Sequence, residues 1–369
     1  MLVNANTSAT VARARPAARG RGFSLVELMV ALAIGGIIMA LLGLIFYSGT
    51  VARKETEKSS RQIENGRYAM ETLGNDLAHA GYFAEFDPTA LATPASKPDP
   101  CEVAIANIRP ALAVSIQGVD NVTSGTTPSC ISDVKNGTDV VVIRRVSTCI
   151  PGGTCDAAVA VMPYFQASLC GSNTELLSAT IADYYVFDAY PSSNPNGTFT
   201  KHKRNCTTFA DVHLLHTQIY FVANNDNAGD GIPTLKRADF AIVGGALAFK
   251  IVPVAEGIDN LQVEYGIDTD GDGAPNAFTA DPDSYNGCAG AACVTNLRNV
   301  VSVRVNLLAR NTDATAGWSD DRVYTLGLKA DGSANNFPSS GSGYADAYKR
   351  HAYTSQIRLV NPASRRLVP

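Results

Sequence analysis

Charge is scarce in this chain of 369 residues: Asp, Glu, Lys and Arg together make up 17%, well below the roughly 25% of an average soluble domain. Much of the exposed surface must therefore be Ser, Thr, Asn, Gly and Ala. An excess of base is also missing. The 30 Lys and Arg against 34 Asp and Glu leave a formal charge of -4, and a pI near 5.8 argues against a surface coated for nucleic acid, so direct nucleic-acid binding is not expected. Tryptophan occurs once and histidine five times. There is no C-x-x-C pair, G-x-S-x-G elbow, P-loop or H-E-x-x-H, which removes the commonest signatures of zinc, hydrolase and nucleotide chemistry. No internal repeat is evident. Apolar residues are abundant: 46% hydrophobic suits a globular core and excludes disorder throughout.

The eight cysteines, Cys101, Cys130, Cys149, Cys155, Cys170, Cys206, Cys288 and Cys293, form an even set, and none lies in the first quarter of the chain. With so few histidines beside them, disulfides in an oxidising compartment are the better reading than metal ligation. Connectivity is open from sequence alone. The close pairs Cys149 with Cys155 and Cys288 with Cys293 are expected as local loop staples.

Residues 1–22 hold Arg13, Arg15, Arg19 and Arg21 and no acid, and then the composition changes abruptly. Phe23 to Tyr47, FSLVELMVALAIGGIIMALLGLIFY, carries a single charge, Glu27. As a helix it would reach about 37 Å at ~1.5 Å per residue, enough to cross a hydrocarbon core of roughly 30 Å. The arginines before it hold that end in the cytoplasm and send the rest outward, in agreement with the cysteines. A secretory signal would place an A-x-A-like site after the apolar core, whereas here the small residue, Gly22, precedes it and bulky Phe46-Tyr47 ends it. Cleavage at Gly22 would leave the whole apolar helix on the mature chain.

Glu27 is the informative residue, because a carboxylate deep in a bilayer costs about 2.5 to 3.5 kcal/mol and an intramembrane acid is a functional candidate. If the chain begins at Phe23, its amino group lies one turn from Glu27, where the helix N-terminus also favours the carboxylate. The amine of a neighbouring subunit could serve equally. An interfacial Glu that only snorkels is the bland alternative.

Gly22-Phe23-Ser24-Leu25-Val26-Glu27 after a short basic leader resembles the class III signal of type IV pilins and pseudopilins. The resemblance implies that a prepilin peptidase cleaves after Gly22, that Phe23 becomes a methylated N-terminus, and that Glu27, the fifth mature residue, sets subunit register. Asn65-Gly66-Arg67-Tyr68-Ala69-Met70 through Leu77-Ala78-His79-Ala80-Gly81-Tyr82-Phe83 extends it, being similar to the region after the membrane helix in PilW-type minor pilins, with Ala78-His79 where a basic residue is common.

From Val51 to about Ala80 the chain is polar, lacks proline and spaces Ile63, Met70, Leu73 and Leu77 as one helical stripe. An amphipathic continuation of the apolar helix is expected, stopped at Gly81 before Pro88. Beyond it, short runs rich in Val, Ile and Tyr, separated by Gly, Asn, Asp or Pro, read as strands at 111–116, 139–146, 159–165, 183–187, 213–223, 246–254, 261–267, 300–308, 323–328 and 352–360. Segments 87–100, 118–128, 191–205 and 330–343 are expected as flexible insertions. The expected fold is α+β: a long helix packed on one twisted antiparallel sheet, elaborated by disulfide-bonded loops, which is also what the pilin resemblance implies. Residues 1–22 read as leader, 23–47 as the transmembrane or filament-core helix, 48–82 as the amphipathic helix and 83–369 as a β-rich periplasmic domain.

One stretch carries metal-like spacing. Asp268, Asp270 and Asp272 match positions 1, 3 and 5 of a calcium loop, with Gly273 at the turn, Ala274 offering a carbonyl and Asn276 at position 9. The bidentate Glu of position 12 is missing, Thr279 standing there, with Asp281 or Asp283 as substitutes from a longer loop. Calcium is the candidate cofactor, and an acidic, solvated hairpin turn is the alternative. His213 and His216, three apart on an expected strand, would face opposite ways, which disfavours a shared metal and suits structural roles. Trp318 and the tyrosines read as core or rim.

The resemblance implies a non-enzymatic protein: a minor pilin of the PilW type that helps prime a type IV pilus, near its tip, supporting motility, adhesion or DNA uptake. Its implied partners are other minor pilins, the major pilin, the prepilin peptidase, the inner-membrane assembly platform and a tip adhesin. Its implied place is the inner membrane as a single pass with the C-terminal domain in the periplasm, then the cell-surface pilus. A minor pseudopilin of a type II secretion system is the nearest alternative, and a membrane-tethered periplasmic enzyme or binding module a remote one.

Overall fold

No proline interrupts residues 24–87, so nothing in that stretch removes a helical N–H or clashes with the preceding turn. The computed structural model, which describes residues 22–366, carries a single helix, α1, from Leu25 to Ala78. The chain divides into two units, one through Thr56 and one from Glu57 onward. In the first unit the apolar side chains of α1 are exposed, Leu32 at 67% and Phe46 at 76%. It is the one helix among the described residues long and apolar enough to cross a membrane.

In the second unit α1 buries Gln62, Gly66, Ala69, Leu73 and Leu77 on one face. This differs from the expected stripe at its N-terminal end: Ile63 is 45% exposed, and Gln62 and Gly66 face inward instead. Two contacts explain the rotation. Gln62 Nε2 donates to the carbonyls of Ala309 and Lys349 at 2.8 and 2.9 Å, satisfying acceptors that apolar Ile could not. Gly66 lets the ring of Tyr353 lie directly on the helix, where any Cβ would collide with it. The helix stops where Gly81 takes φ +71, a backbone state cheap only for glycine.

The body of this unit contains two main sheets rather than the single expected one. The first has seven strands: β1 (Ile116–Val119), β2 (Val140–Val146), β3 (Pro163–Ala167), β4 (Tyr185–Ala189), β5 (Val212–Ala223), β6 (Thr234–Val243) and β7 (Ala246–Glu256). Strand β5 organises it, pairing with β2, β3 and β6 along different stretches. The second has four strands, β8 (Ile258–Ile267), β9 (Ala277–Thr279), β10 (Val300–Arg310) and β13 (Arg350–Arg358), in the order β13-β10-β8-β9. A hairpin of β11 (Tyr324–Leu328) and β12 (Ala334–Phe337) stands apart. All of the pairings are antiparallel.

One apolar core joins these parts: Ala69, Leu73 and Leu77 of α1 meet Val141, Ile143 and Tyr220 of the first sheet and Leu261, Val263, Val303 and Val305 of the second. Cutting Leu73 to Ala there should cost about 2–5 kcal/mol. Every residue of β8 is buried. Its inward residues meet this core, while on the other face Gln262 accepts a hydrogen bond from Asn335 of β12.

Several expected strands shift. Residues 109–113 form a 3-10 turn with Pro110 near its start, since proline fixes φ and lacks a ladder donor, and β1 begins only at Ile116. Residues 159–162 precede β3 and hold Val161 at φ +71. Strand β6, not expected because Lys236, Arg237 and Asp239 interrupt its apolar run, pairs with β5 and β7. The segment 330–343 contains β12.

Candidate functional site

At the start of α1, Ser24 and Glu27 stand at the spacing of a capping box. The Ser24 amide donates to Glu27 Oε2 at 2.9 Å, and Ser24 Oγ accepts from the Val26 amide at 3.3 Å. The carboxylate thereby closes the first turn and sits at the positive end of the helix. The pattern S-x-x-E before an apolar run is legible in the sequence, and placing Glu27 in the lipid beside the helix N-terminus leaves out its bond to the Ser24 amide. Gly22 and Phe23 lie just before this turn, with Phe23 fully exposed. The leader before Gly22 lies outside the described residues.

The aspartate loop connects β8 to β9. Asp268 is fully buried and accepts from the amides of Gly271 at 2.6 Å and Gly273 at 2.9 Å, with Arg366 at 3.4 Å. Burial works to raise its pKa, but those two amides and the Arg366 guanidinium outweigh it and hold the carboxyl below its usual range. Asp270 Oδ2 accepts from Asn276 Nδ2 at 3.1 Å, Asn276 Oδ1 accepts from the Thr269 amide at 2.7 Å, and Asp272 Oδ1 accepts from the Ala274 amide at 2.8 Å. Carboxylate oxygens of Asp268, Asp270 and Asp272 lie within 4.8 Å of one another, a group that could hold a metal ion. Asp281 and Asp283 do not join them. Asp281 caps the Asp283 amide at 3.0 Å and Asp283 pairs with Lys97, while Thr279 is tied into β9 opposite Tyr265.

The cysteines pair as Cys101 with Cys130, Cys149 with Cys155, Cys170 with Cys206 and Cys288 with Cys293. Two of these bridges close loops of 5 and 6 residues, and two span 29 and 36. Chain-entropy arguments assign about 2–4 kcal/mol to a typical bridge, more for the longer loops. His213 is buried and its Nδ1 is 2.8 Å from the Ser147 carbonyl. His216 faces the opposite side of β5 and lines a surface cleft.

Sequence reasoning also missed a charged cluster in the core. Asp76 of α1 accepts from Tyr220 Oη at 2.5 Å and pairs with Arg145 at 3.1 Å and Arg237 at 3.2 Å. These partners come from β2, β5 and β6, so only the sheet register brings them to one carboxylate.

The family described as Type IV Pilus-assembly protein W matches residues 219–361, from within β5 to the start of the closing helix Val360–Arg366. The Prokaryotic N-terminal methylation motif matches residues 18–43, which include Gly22, Phe23 and Glu27. The two matches support a type IV minor pilin. No curated protein and no solved structure matches it. The minor pilin's architecture agrees with that assignment: a long apolar N-terminal helix, antiparallel sheets and disulfides. The family is structural rather than enzymatic, and its assembly role implies partners within the pilus system. The methylation motif and the apolar helix suggest a membrane-anchored pilin. The aspartate loop falls inside the pilus-assembly match, whereas residues 84–218 fall outside both matches.

Proposed function

We propose that this minor pilin enters a type IV pilus by using Glu27 as an assembly joint. A prepilin peptidase cuts between Gly22 and Phe23, the new terminus is methylated, and the Phe23 amine lies one residue before the amide that already holds Glu27 Oε2. Neither charge is tolerable alone in hydrocarbon, and pairing them costs less than leaving either unpaired. The amine of the chain itself, or that of a neighbouring subunit, neutralises the carboxylate as bare apolar helices pack side by side. The observation that carries this reading is the placement of the only acid of the apolar segment in the first turn of α1.

The rest of the chain, from the end of the apolar segment, then faces the periplasm, where its cysteines oxidise, before extraction into the pilus. By what the PilW type implies, the subunit helps prime assembly near the tip, together with other minor pilins, the major pilin, the assembly platform and a tip adhesin. Motility, adhesion or DNA uptake follow indirectly. The match to a pilus-assembly family favours this over a secretion pseudopilus. Calcium is the proposed ion of the aspartate loop: three carboxylates, the Ala274 carbonyl and Asn276 form an all-oxygen donor set suited to a hard cation. Binding would require the Asn276–Asp270 bond and the Arg366 contact to loosen.

Replacing Glu27 tests the joint. Glu27→Val should leave the protein membrane-inserted and processed at Gly22 yet lower its content in sheared pili at least tenfold. Normal abundance of the variant in sheared pili would remove the register role.

A further inference from the structure

Four carboxylates gather where the first sheet meets the second: Asp120 just after β1, Asp139 just before β2, and Asp281 and Asp283 after β9. Lys97 brings a cation to the group, but its Nζ is committed to the Gly118 carbonyl at 2.6 Å and to Asp283. Asp139 is 2% exposed and pairs with no cation among the described residues; its oxygens accept from the amides of Asn121 at 2.9 Å and Val263 at 2.7 Å. Its own amide donates to the Leu261 carbonyl at 2.9 Å, and the Gly137 carbonyl accepts from Gln262 Nε2 at 2.9 Å. Asp139 therefore fastens the turn after β1 and the start of β2 to β8 of the other sheet.

A buried carboxylate without a counter-ion is costly, and such a group takes up a proton rather than stay charged. The two amides favour the ion. Burial, then the like charge of Asp120, with a smaller push from Asp281, outweighs them and holds the Asp139 carboxyl well above its ordinary range. Asp120 is displaced the same way, by burial first and then by Asp281, against the bond it accepts from Asn121 Nδ2. From β8 the Tyr265 hydroxyl faces the same four acids and lies so close over Gly118 that any Cβ there would overlap it. Burial and these acids keep Tyr265 a neutral phenol far above neutral pH, so it brings no charge to offset theirs.

We infer that Asp139 is a proton-operated latch between the two sheets: neutral in acid, it closes the seam, and ionised at higher pH, it loosens residues 120–139 from β8. The departing proton passes to solvent, and the charge left behind faces Asp120 in a site that water must enter to relieve it. A carboxyl that holds its proton more tightly in the fold than in the unfolded chain contributes stability that is complete below about pH 4 and is lost as pH rises through its folded value. Asp268, whose carboxyl is lowered instead, acts in the opposite sense, so the latch is read from differences between variants rather than from the native curve alone. The inference rests neither on the assembly joint at Glu27 nor on calcium, and survives if either fails.

The test uses the full-length chain in phospholipid nanodiscs. Infrared difference spectra of the native chain against Asp139→Asn at about pH 6 should show the carbonyl band of a neutral carboxylic acid, shifted in D2O, that the variant lacks. Asp120→Asn removes a neighbouring like charge from a partly exposed position, so it should lower the pH at which that band disappears, and it keeps the test open if Asp139→Asn does not fold. Relative to the native chain, Asp120→Asn should also gain about 2–4 °C more in melting temperature at about pH 8 than at about pH 5. Hydrogen exchange over residues 120–139, corrected for its intrinsic rise with pH, should be faster at the higher pH in the native chain. The inference is overturned if the native chain shows no such band, if the band survives Asp139→Asn, if Asp120→Asn moves neither band nor melting temperature, or if corrected exchange is the same at both pH values.

Discussion

Asp76 and Tyr220 share a 2.5 Å hydrogen bond in the core of the second unit, which ties the last turns of α1 to the centre of the seven-stranded sheet. The same carboxylate pairs with Arg145 and Arg237, and burial together with Asp76 holds the Tyr220 hydroxyl protonated far above neutral pH. Removing one partner of such a cluster leaves the others buried and unpaired, which costs far more than the pair is worth in water. Asp76→Leu should destabilise the protein by about 3–5 kcal/mol, and Tyr220→Phe by about 1–2 kcal/mol. Denaturant unfolding of both variants and of the double variant checks this. Additive losses would show that the two residues do not act through one another.

Gly66 gives a prediction whose sign reverses with context. Alanine is favoured over glycine inside a helix by roughly 1 kcal/mol, yet a Cβ here collides with the Tyr353 ring. Gly66→Ala alone should therefore be destabilising by about 1 kcal/mol, as the ring must swing away from its site over the helix. In a Tyr353→Ala background the same change should stabilise, by about 0.5–1 kcal/mol. Stabilisation by Gly66→Ala in the otherwise native chain would mean that the close approach carries no weight.

If the proposed calcium binds the aspartate loop, structural and ligand roles fall on different aspartates. Asp268 is buried and holds two loop amides, so Asp268→Ala should lower the melting temperature whether or not calcium is present. Asp270 and Asp272 are exposed. Asp272→Ala should have little effect in chelator but should abolish the rise in melting temperature that added calcium is expected to give the native protein. An unchanged native midpoint with and without calcium would assign the loop to an acidic turn.

Legibility in the sequence followed how local the deciding physics was. The long helix, its apolar half and Glu27 could be read directly, because a proline-free apolar run with one acid has few solutions. The short spacings of Cys149 to Cys155 and of Cys288 to Cys293 gave the same local reach, while the joining of Cys101 to Cys130 and of Cys170 to Cys206 depends on tertiary placement. Strands β2, β5, β8 and β10 announced themselves by β-branched runs. Strand β6 did not, since Lys236, Arg237 and Asp239 look like a loop until Arg237 is seen paired with Asp76 and Asp239. The inward face of α1 sits one residue off the apolar stripe at Gln62 and Ile63, because the carbonyls of Ala309 and Lys349 accept from Gln62 and outrank hydrophobicity there. The cleft around His216 could not be read at all, because its walls come from segments separated by some fifty residues or more and joined only by sheet register and a disulfide.

The first residue of the mature polypeptide decides whether Glu27 can act as the assembly joint. Intact-mass and N-terminal sequencing of the chain recovered from sheared pili should give a first residue of Phe23, carrying one added methyl group, with Glu27 fifth. A mature chain beginning at any other residue, or one that retains Arg19 to Gly22 while present in the pilus, would contradict it.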